Sequence, residues 1–495
     1  MARLADPDLI VVGAGAAGLY ATLAAARAGA RPLLVSATAL AESASYWAQG
    51  GLAAATAADD SPQRHLDDTI KAGRGAVRPS AARVLTDEAP NALEDLEELG
   101  VHFDADRHGN LALGLEGGHS ARRVAHAGGS ATGRRVTREL SALVALDPRI
   151  EVREGRKAAA LWVDDGRVIG LVTDENTTIK ARATILATGG IAALWRRTTN
   201  PPGSFGSGLL LARNAGAALA DLELVQFHPT AVVAGGPEAL DGRTAAGING
   251  FLITEAIRGE GATLLDNRQE RFVDELKPRD EVARAIEAKL HETGMRYVDL
   301  DMRAVDPALF PNVVEALRNA GLDPQRELVP VAPAAHYLMG GVAADLHGRA
   351  RVPGLYAIGE CADTGLHGAN RLASNSLSEC FVFGRRAGLA ALDEPPPPTA
   401  PSTEPPPPDP LTQNRPDRET RSALWAHAGL ERTAAGLRTL LDHPHPLARL
   451  TARCALHRNE SRGAHWRLDA PDLDPALELH HSVVEDGEVR YETWR

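Results

Sequence analysis

The sequence is poor in cysteine, lysine and aromatic residues, and it lacks long apolar runs. Its three cysteines, Cys361, Cys380 and Cys454, lie far apart among 495 residues and form no CxxC pair. That spacing argues against a disulfide framework, a zinc ribbon and a dithiol flavoprotein reductase, and no metal site is expected. No segment reaches the roughly 18 apolar residues that span a bilayer. The chain enters its first apolar segment without a charged leader and cleavage site, so cytoplasmic location without membrane contact is the expectation. Lysine occurs only at Lys71, Lys157, Lys180, Lys277 and Lys289, a bias that genomic base composition explains without invoking function. There is no basic run with interleaved aromatics, and the net charge is −12, which speaks against nucleic acid and anionic membranes as partners. An anionic substrate then requires a locally cationic site.

What is present is glycine in informative places. Asp8-Leu9-Ile10-Val11-Val12 runs into Gly13-Ala14-Gly15-Ala16-Ala17-Gly18, and an alanine-rich helical pattern follows to Gly29. Strand, glycine turn and helix are in the order that a dinucleotide site needs. Gly13 permits the tight turn, Gly15 lets the backbone approach a pyrophosphate, and Gly18 lets helix and strand pack closely. Arg31 to Ser36 supplies the second strand of the unit. An acidic residue usually ends that strand and binds ribose. Here Ser36 and Ala37 stand there, so a nicotinamide cofactor is disfavoured, while the Ser36 hydroxyl retains one donor and one acceptor for ribose.

Two further apolar segments end in glycine: Ala183 to Gly190, and Gly354 to Glu360 with Gly359 near its end. Ligands of open α/β sheets collect beyond the carboxyl ends of the strands, so all three glycine-ended strands are expected to converge on one cofactor. An acidic helical pattern runs from Thr86 to Leu99, and residues 151–172 read as a β-meander. The expected architecture is α/β: a Rossmann-like dinucleotide-binding domain in two parts (1–225 and 342–390), an inserted α+β capping domain (226–341), a stiff Pro-rich linker (391–411) and a C-terminal helical bundle domain (412–495).

Six motifs occur in order: Ser45-Tyr46-Trp47-Ala48-Gln49-Gly50-Gly51-Leu52, Gln226-Phe227-His228-Pro229-Thr230, Thr254-Glu255-Ala256-Ile257-Arg258-Gly259-Glu260-Gly261, Pro278-Arg279-Asp280, His336-Tyr337-Leu338-Met339-Gly340-Gly341 and His367 to Leu377. With Asn459 to His465 near the end, they span nearly the whole chain. Together they resemble the flavoproteins of the succinate dehydrogenase, fumarate reductase and L-aspartate oxidase superfamily. The resemblance implies FAD, and makes the two-part Rossmann-like domain an FAD-binding domain. It assigns Gly13, Ala14, Gly15, Ala16, Ala17, Gly18 and Ser36 to the ADP half, Ser45, Gln49, Gly50 and Gly51 to the flavin, and Asp221, Glu360, Ser376 and Leu377 to further contacts. A backbone N–H at the helix start after Asn375 suits the electron-rich end of a reduced flavin.

Respiratory members of the superfamily tether FAD through a histidine just before the Ala-Gln-Gly-Gly motif. Residues 43–48 here are Ser, Ala, Ser, Tyr, Trp and Ala, so noncovalent FAD is expected. The segment Leu115-Glu116-Gly117-Gly118-His119-Ser120 looks like the aspartate-oxidase element whose glutamate faces the substrate, and the longer tail of the respiratory subunits is missing. A charge argument supports the second point. A plain diacid wants only cations, whereas aspartate adds an ammonium that one carboxylate can hold. From local sequence alone Glu116 reads in preference as a solvated loop residue; the resemblance reverses that reading.

By resemblance, His228, His336 and Arg371 grip substrate carboxylates with Thr254 and Glu255 beside them, and Arg279 carries a proton in fumarate reduction. An isolated histidine is more often packed or capping, and Arg279 reads alternatively as a structural partner of Asp280 or Glu281. The implied reaction oxidises L-aspartate to iminoaspartate, with oxygen (giving hydrogen peroxide) or fumarate as acceptor. That is the first step of de novo NAD synthesis, which passes its product to quinolinate synthase. A soluble fumarate reductase or succinate dehydrogenase-type flavoprotein is the alternative. Two departures from the superfamily pattern, Ser207 for an aspartate and Ala37 for a lysine, foretell modest affinity at the ADP end.

Overall fold

The computed structural model describes residues 6–40, 42–234 and 249–495; parts of the expected first FAD-binding and capping segments, residues 1–5, 41 and 235–248, lie outside that description. Its central element is a five-stranded parallel sheet in the order Leu355–Ala357, Ala183–Leu186, Leu9–Val12, Pro32–Ser36 and Glu151–Glu154. The strands at 9–12, 32–36, 183–186 and 355–357 are fully buried, as expected of parallel strands covered on both faces. The three glycine-ended strands are neighbours, with Val12 opposite Leu186 and Leu186 opposite Ala357, so their carboxyl ends open at one place.

Two long helices converge there. Ala16–Arg27 starts at the glycine turn and Asn375–Ala390 starts beside it. Glycines let the two approach closely: a Cβ on Gly388 would stand 2.6 Å from the Ala21 carbonyl oxygen and one on Gly384 3.1 Å from that of Ala17. Tyr20 and Phe381 fill the seam edge to face, with ring centroids 5.2 Å apart.

The segment 151–172 is not one meander. Its first part, Glu151–Glu154, pairs in parallel with Pro32–Ser36 as the edge of the central sheet, and the antiparallel meander is Ala158–Asp164, Arg167–Thr173 and Thr178–Lys180. The alternation of a half-exposed edge strand resembles that of a meander strand, which is why periodicity alone merged them. The acidic pattern forms a longer helix, Pro79–Glu98. The proline-rich stretch lies against the meander, where Asp164 accepts hydrogen bonds from Ser402 and Thr403, and Trp162 donates to Thr403.

A separate antiparallel sheet, ordered Val225–Val232, Val329–Leu338, Val298–Asp301 and Thr263–Leu265, carries much of the site. Its own core includes Ile253, Leu264, Ile286, Leu300 and Val331. The helices Arg418–His427, Ala434–Thr439 and Pro446–His457 follow the proline-rich stretch. The chain then adds a hairpin, His480–Glu485 with Glu488–Thr493, to the strand Leu219–Ala220.

Candidate functional site

One continuous cavity of about 410 Å³ runs from the glycine turn to the antiparallel sheet. At its first end the wall is backbone. Gly13 has φ +110°, and a Cβ there would lie 2.3 Å from the Ala187 carbonyl oxygen; a Cβ on Gly18 would lie 1.9 Å from that of Gly13. Gly18 serves this packing without lining the cavity, whereas Gly13, Ala14, Gly15, Ala16 and Ala17 do line it. The helix from Ala16 has no acidic residue in its first turn, and Ser45 Oγ accepts from the Ala16 N–H at 3.1 Å. The remaining N–H groups present the positive end of the helix to an anion. The Ser36 hydroxyl donates to the Thr38 carbonyl at 2.7 Å, so it is left as an acceptor for ribose and its expected donor role is corrected. Arg156 and Lys157 also line this end, which the sequence reading missed because they sit in a turn more than a hundred residues from the glycine motif.

The middle of the cavity is lined by Gln49, Gly50, Gly51, Glu360, Ser376 and Leu377. Gln49 is fixed by two contacts: its Nε2 donates to the Leu252 carbonyl at 2.6 Å and its Oε1 accepts from the Thr254 N–H at 3.2 Å. Ser374 adopts a left-handed conformation (φ +61°) and starts the Asn375–Ala390 helix without a side-chain cap, which leaves N–H groups of its first turn open to the cavity. Glu360 accepts from the Leu338 N–H at 3.0 Å, and burial pushes its carboxyl up to about 8. Asp221 departs from expectation. It does not line the cavity; its carboxylate is engaged by His481 Nδ1 at 2.5 Å, the Ser482 N–H at 2.8 Å and Arg458 at 3.4 Å. Asp221, Asp363 and His481 bring three potential ligand atoms within 4.8 Å, but the buried Arg458 guanidinium already supplies positive charge to Asp221.

The far end is built from side chains on separate segments. Its two histidines owe their placement to irregularities in the pairing of Val225–Val232 with Val329–Leu338. Gln226 pairs with Tyr337 and Phe227 with Ala335, so His336 is the extra residue of a bulge; a second shift lies between His228 and Ala231, at Pro229. Bulges re-aim side chains, and here they bring the His228 and His336 rings to 5.1 Å. Thr199 Oγ1 lies 2.8 Å from His336 Nδ1, and Arg371 Nη2 lies 3.1 Å from His336 Nε2. Arg371 also donates to Ser376 and stacks over Tyr337 at 4.3 Å. Arg279 donates from Nε to Glu255 at 2.6 Å and from Nη1 to Gln226 at 3.2 Å. Its partner is therefore Glu255, whereas Asp280 and Glu281 pair with Arg74. Arg258 approaches Glu255 at 3.7 Å from the other side.

Glu116 is buried and belongs to this end. It accepts from Ser374 Oγ at 2.6 Å through Oε2, and His126 Nε2 stands 4.0 Å from Oε1. The next residue must be glycine, because a Cβ on Gly117 would meet Glu255 Oε1 at 2.0 Å. The solvated-loop reading of Glu116 is thereby corrected. Arg258, Ser374 and Thr199 were not singled out from sequence, although the first two lie inside quoted motifs.

Burial, followed by the neighbouring arginines, pushes His228 and His336 well below the usual imidazole value, so both are neutral. Burial also lowers Arg371 to about 10, still charged at neutral pH. Burial opposes ionisation of Glu255, yet Arg279 and Arg258 outweigh it and hold the carboxyl below its ordinary range. Three arginines against Glu255 and Glu116 leave a single excess positive charge. Four of the expected substrate residues also keep a buried polar atom with no hydrogen-bond partner in the protein: Glu116 Oε1, His228 Nε2, Glu255 Oε1 and Arg371 Nε. Each such atom costs about 1–3 kcal/mol unless a ligand satisfies it. Donors and acceptors at one end and a backbone anion cradle at the other fit a long dinucleotide with a small charged substrate beside it.

Comparison with known proteins agrees with this geometry. A model described as FAD binding domain matches residues 8–377, and one described as fumarate reductase flavoprotein C-term matches residues 441–494. The L-aspartate oxidase of Caulobacter vibrioides is 45% identical, with 96% of this chain and 95% of that protein covered. The chain belongs to the L-aspartate oxidase family. A second member, from Streptomyces coelicolor, is 39% identical over 96% of this chain and 91% of its own. Among solved structures, a quinol-fumarate reductase with menaquinol molecules superposes with a TM-score of 0.87 at 28% identity, covering 99% of this chain and 98% of that one. FAD is the cofactor of this flavoprotein, and its residues from Gly13 to Leu377 fall within the matched FAD-binding model.

Proposed function

We propose that the chain oxidises L-aspartate to iminoaspartate, using FAD, with oxygen or fumarate as the terminal acceptor, in the first step of de novo NAD biosynthesis. The observation that carries this reading is the charge balance of the substrate end. Two cations holding carboxylates suit a diacid, but the additional buried carboxylate of Glu116, whose Oε1 accepts no hydrogen bond from the protein, suits a substrate that also bears an ammonium. Aspartate, with net charge −1, complements the single excess positive charge; succinate brings a second negative charge against Glu116. Arg371, His336, His228 and Thr254 hold the carboxylates, and Glu116 holds the nitrogen, so that Cα is fixed in one orientation. Bound FAD would supply the two-electron acceptor for the hydride from Cα; the substrate ammonium gives up a proton to the Glu116 carboxylate beside it, so that the nitrogen lone pair forms the C=N bond of iminoaspartate. With fumarate as acceptor, Arg279 delivers the proton, and Glu255 at 2.6 Å stabilises and reorients the guanidinium through the transfer. Oxygen as acceptor yields hydrogen peroxide.

The cofactor is held noncovalently, since residues 43–48 contain no histidine. Quinolinate synthase consumes the product, and the enzyme works in the cytoplasm; among the described residues no helix is long and apolar enough to cross a membrane. The test is anaerobic flavin absorbance of the FAD-loaded enzyme. L-Aspartate bleaches it and succinate does not if this reading holds. Bleaching by succinate alone moves the chain to the fumarate reductase side of the superfamily.

A further inference from the structure

A second cavity, of about 220 Å³, lies outside the flavin and substrate site. It is framed by the C-terminal end of the Arg279–Thr293 helix, the strand Val329–Leu338 and the helix Arg418–His427. Its lining is of two kinds. Arg197 and Arg296 contribute guanidinium groups, while Trp425, Pro333, Leu290 and Met295 contribute apolar surface. Arg196 lines it as well.

Arg197 is the unusual member. It is buried, it makes one side-chain hydrogen bond, from Nη2 to the Ala231 carbonyl at 2.9 Å, and its Nε has no partner. No carboxylate lies within ion-pair distance of it among the described residues. Burial pushes its guanidinium down to about 10, which still leaves it charged at neutral pH. Glu287 favours its charge from a distance, but a buried guanidinium without an ion pair in contact is unfavourable, and a ligand or partner that meets it offsets that cost. Arg296 stands at the exposed rim, with no ion pair among the described residues. The acidic residue of the lining, Glu287, is raised above the ordinary carboxyl range by burial, and the His291 ring stands 3.5 Å from it and 3.5 Å from Glu431. Positive charge therefore exceeds negative charge in a cavity whose other walls are apolar.

We propose that this cavity binds a small anion carrying a planar or apolar body: a carboxylate or phosphate between Arg197 and Arg296, with its ring or chain against Trp425 and Pro333. Guanidinium groups pair with such oxyanions through paired N–H donors, and the indole face takes a planar group by stacking. The cavity adjoins the substrate end without merging with it. Arg197 is two residues from Thr199, which contacts His336, and Pro333 is three residues before His336 on the same strand.

The test is calorimetric titration of the FAD-loaded enzyme with benzene-1,2-dicarboxylate and, separately, inorganic phosphate, with the flavin spectrum followed in parallel. Benzene-1,2-dicarboxylate is expected to bind without a flavin spectral change and to bind at least tenfold more weakly to Arg296→Ala, whose kcat/KM for the enzyme's substrate stays unchanged. Trp425→Leu is expected to weaken the aromatic diacid severalfold and phosphate little. Binding that shifts the flavin spectrum and survives Arg296→Ala places the ligand in the main cavity and overturns the proposal. Absence of binding by both probes at millimolar concentration overturns it equally.

Discussion

At the nucleotide end of the main cavity the wall is backbone, drawn from one local run, Gly13 to Ala17, whose glycines exclude side chains and whose helix start offers N–H groups. At the substrate end the wall is side chains: Glu116, His228, Glu255, Arg279, His336 and Arg371 come from widely separated segments and are locked by charge-assisted hydrogen bonds. The first end recognises a shape and an anion and is intolerant of added atoms. The second recognises a charge pattern and is intolerant of lost or altered charge. The same cavity thus has two distinct modes of failure, and substitutions can separate them.

The largest effect is expected at the side-chain end. Arg279→Leu removes the proton carrier and leaves Glu255 buried with one cation fewer; fumarate-reducing turnover should fall by roughly 10³-fold, with about 3 kcal/mol of stability lost. Arg279→Lys should recover little, because a single ammonium cannot span Glu255 and Gln226. Steady-state kinetics and thermal melting check both, and a variant with unchanged kcat contradicts the assignment. Flavin content should barely change.

Gly13→Ala should do the reverse. Its Cβ would meet the Ala187 carbonyl oxygen at 2.3 Å from a backbone at φ +110°, so a strain of about 1–3 kcal/mol is expected. Flavin bound per protein should drop in purified enzyme, and saturating FAD should restore much of the turnover. Loss of turnover at full flavin occupancy would blur the distinction between the two ends.

Glu360, between the two, provides a pH handle. Its carboxyl holds a proton to about pH 8 in the folded chain, above the ordinary value it has when unfolded. The folded state therefore binds the extra proton across that window, and stability from this group is full below the ordinary carboxyl range and falls as pH rises to about 8. Glu360→Gln should flatten the decline in melting temperature between pH 6 and 8, by on the order of 1 kcal/mol per pH unit relative to wild type. Parallel curves for the two proteins would contradict the raised value. The smallest effect is expected from Ala37→Lys, which adds a cation at the lip of the ADP end; FAD should bind a few-fold more tightly, within the 1 kcal/mol typical of exposed pairs, as measured by flavin titration of apoenzyme.

The two ends also differed in how far the sequence disclosed them. Gly13 to Gly18 could be read locally because strand, turn and helix are adjacent in the chain and each glycine has its own steric reason. The convergence of the strands ending near Gly13, Gly189 and Gly359 followed from the general rule for parallel sheets. The substrate end was nameable only through motif resemblance, since the bulge at His336, the shift at Pro229 and the pairing of Arg279 with Glu255 depend on long-range register that no local pattern encodes. For the same reason the engagement of Asp221 away from the cavity was not legible: its partners His481 and Ser482 lie 260 and 261 residues away. Glu151–Glu154 was merged with the meander because its partner strand, not its composition, decides its sheet.

The central claim is that Glu116 converts a diacid clamp into an amino-acid site, and Glu116→Gln tests it most directly. The measurement is kcat/KM for L-aspartate oxidation and, in the same preparation, for fumarate reduction. The account predicts a loss of roughly 10- to 100-fold for aspartate, the value of one charge-assisted hydrogen bond, with fumarate reduction unchanged or faster. An equal loss for both substrates would show that Glu116 supports the site's structure and does not select the substrate.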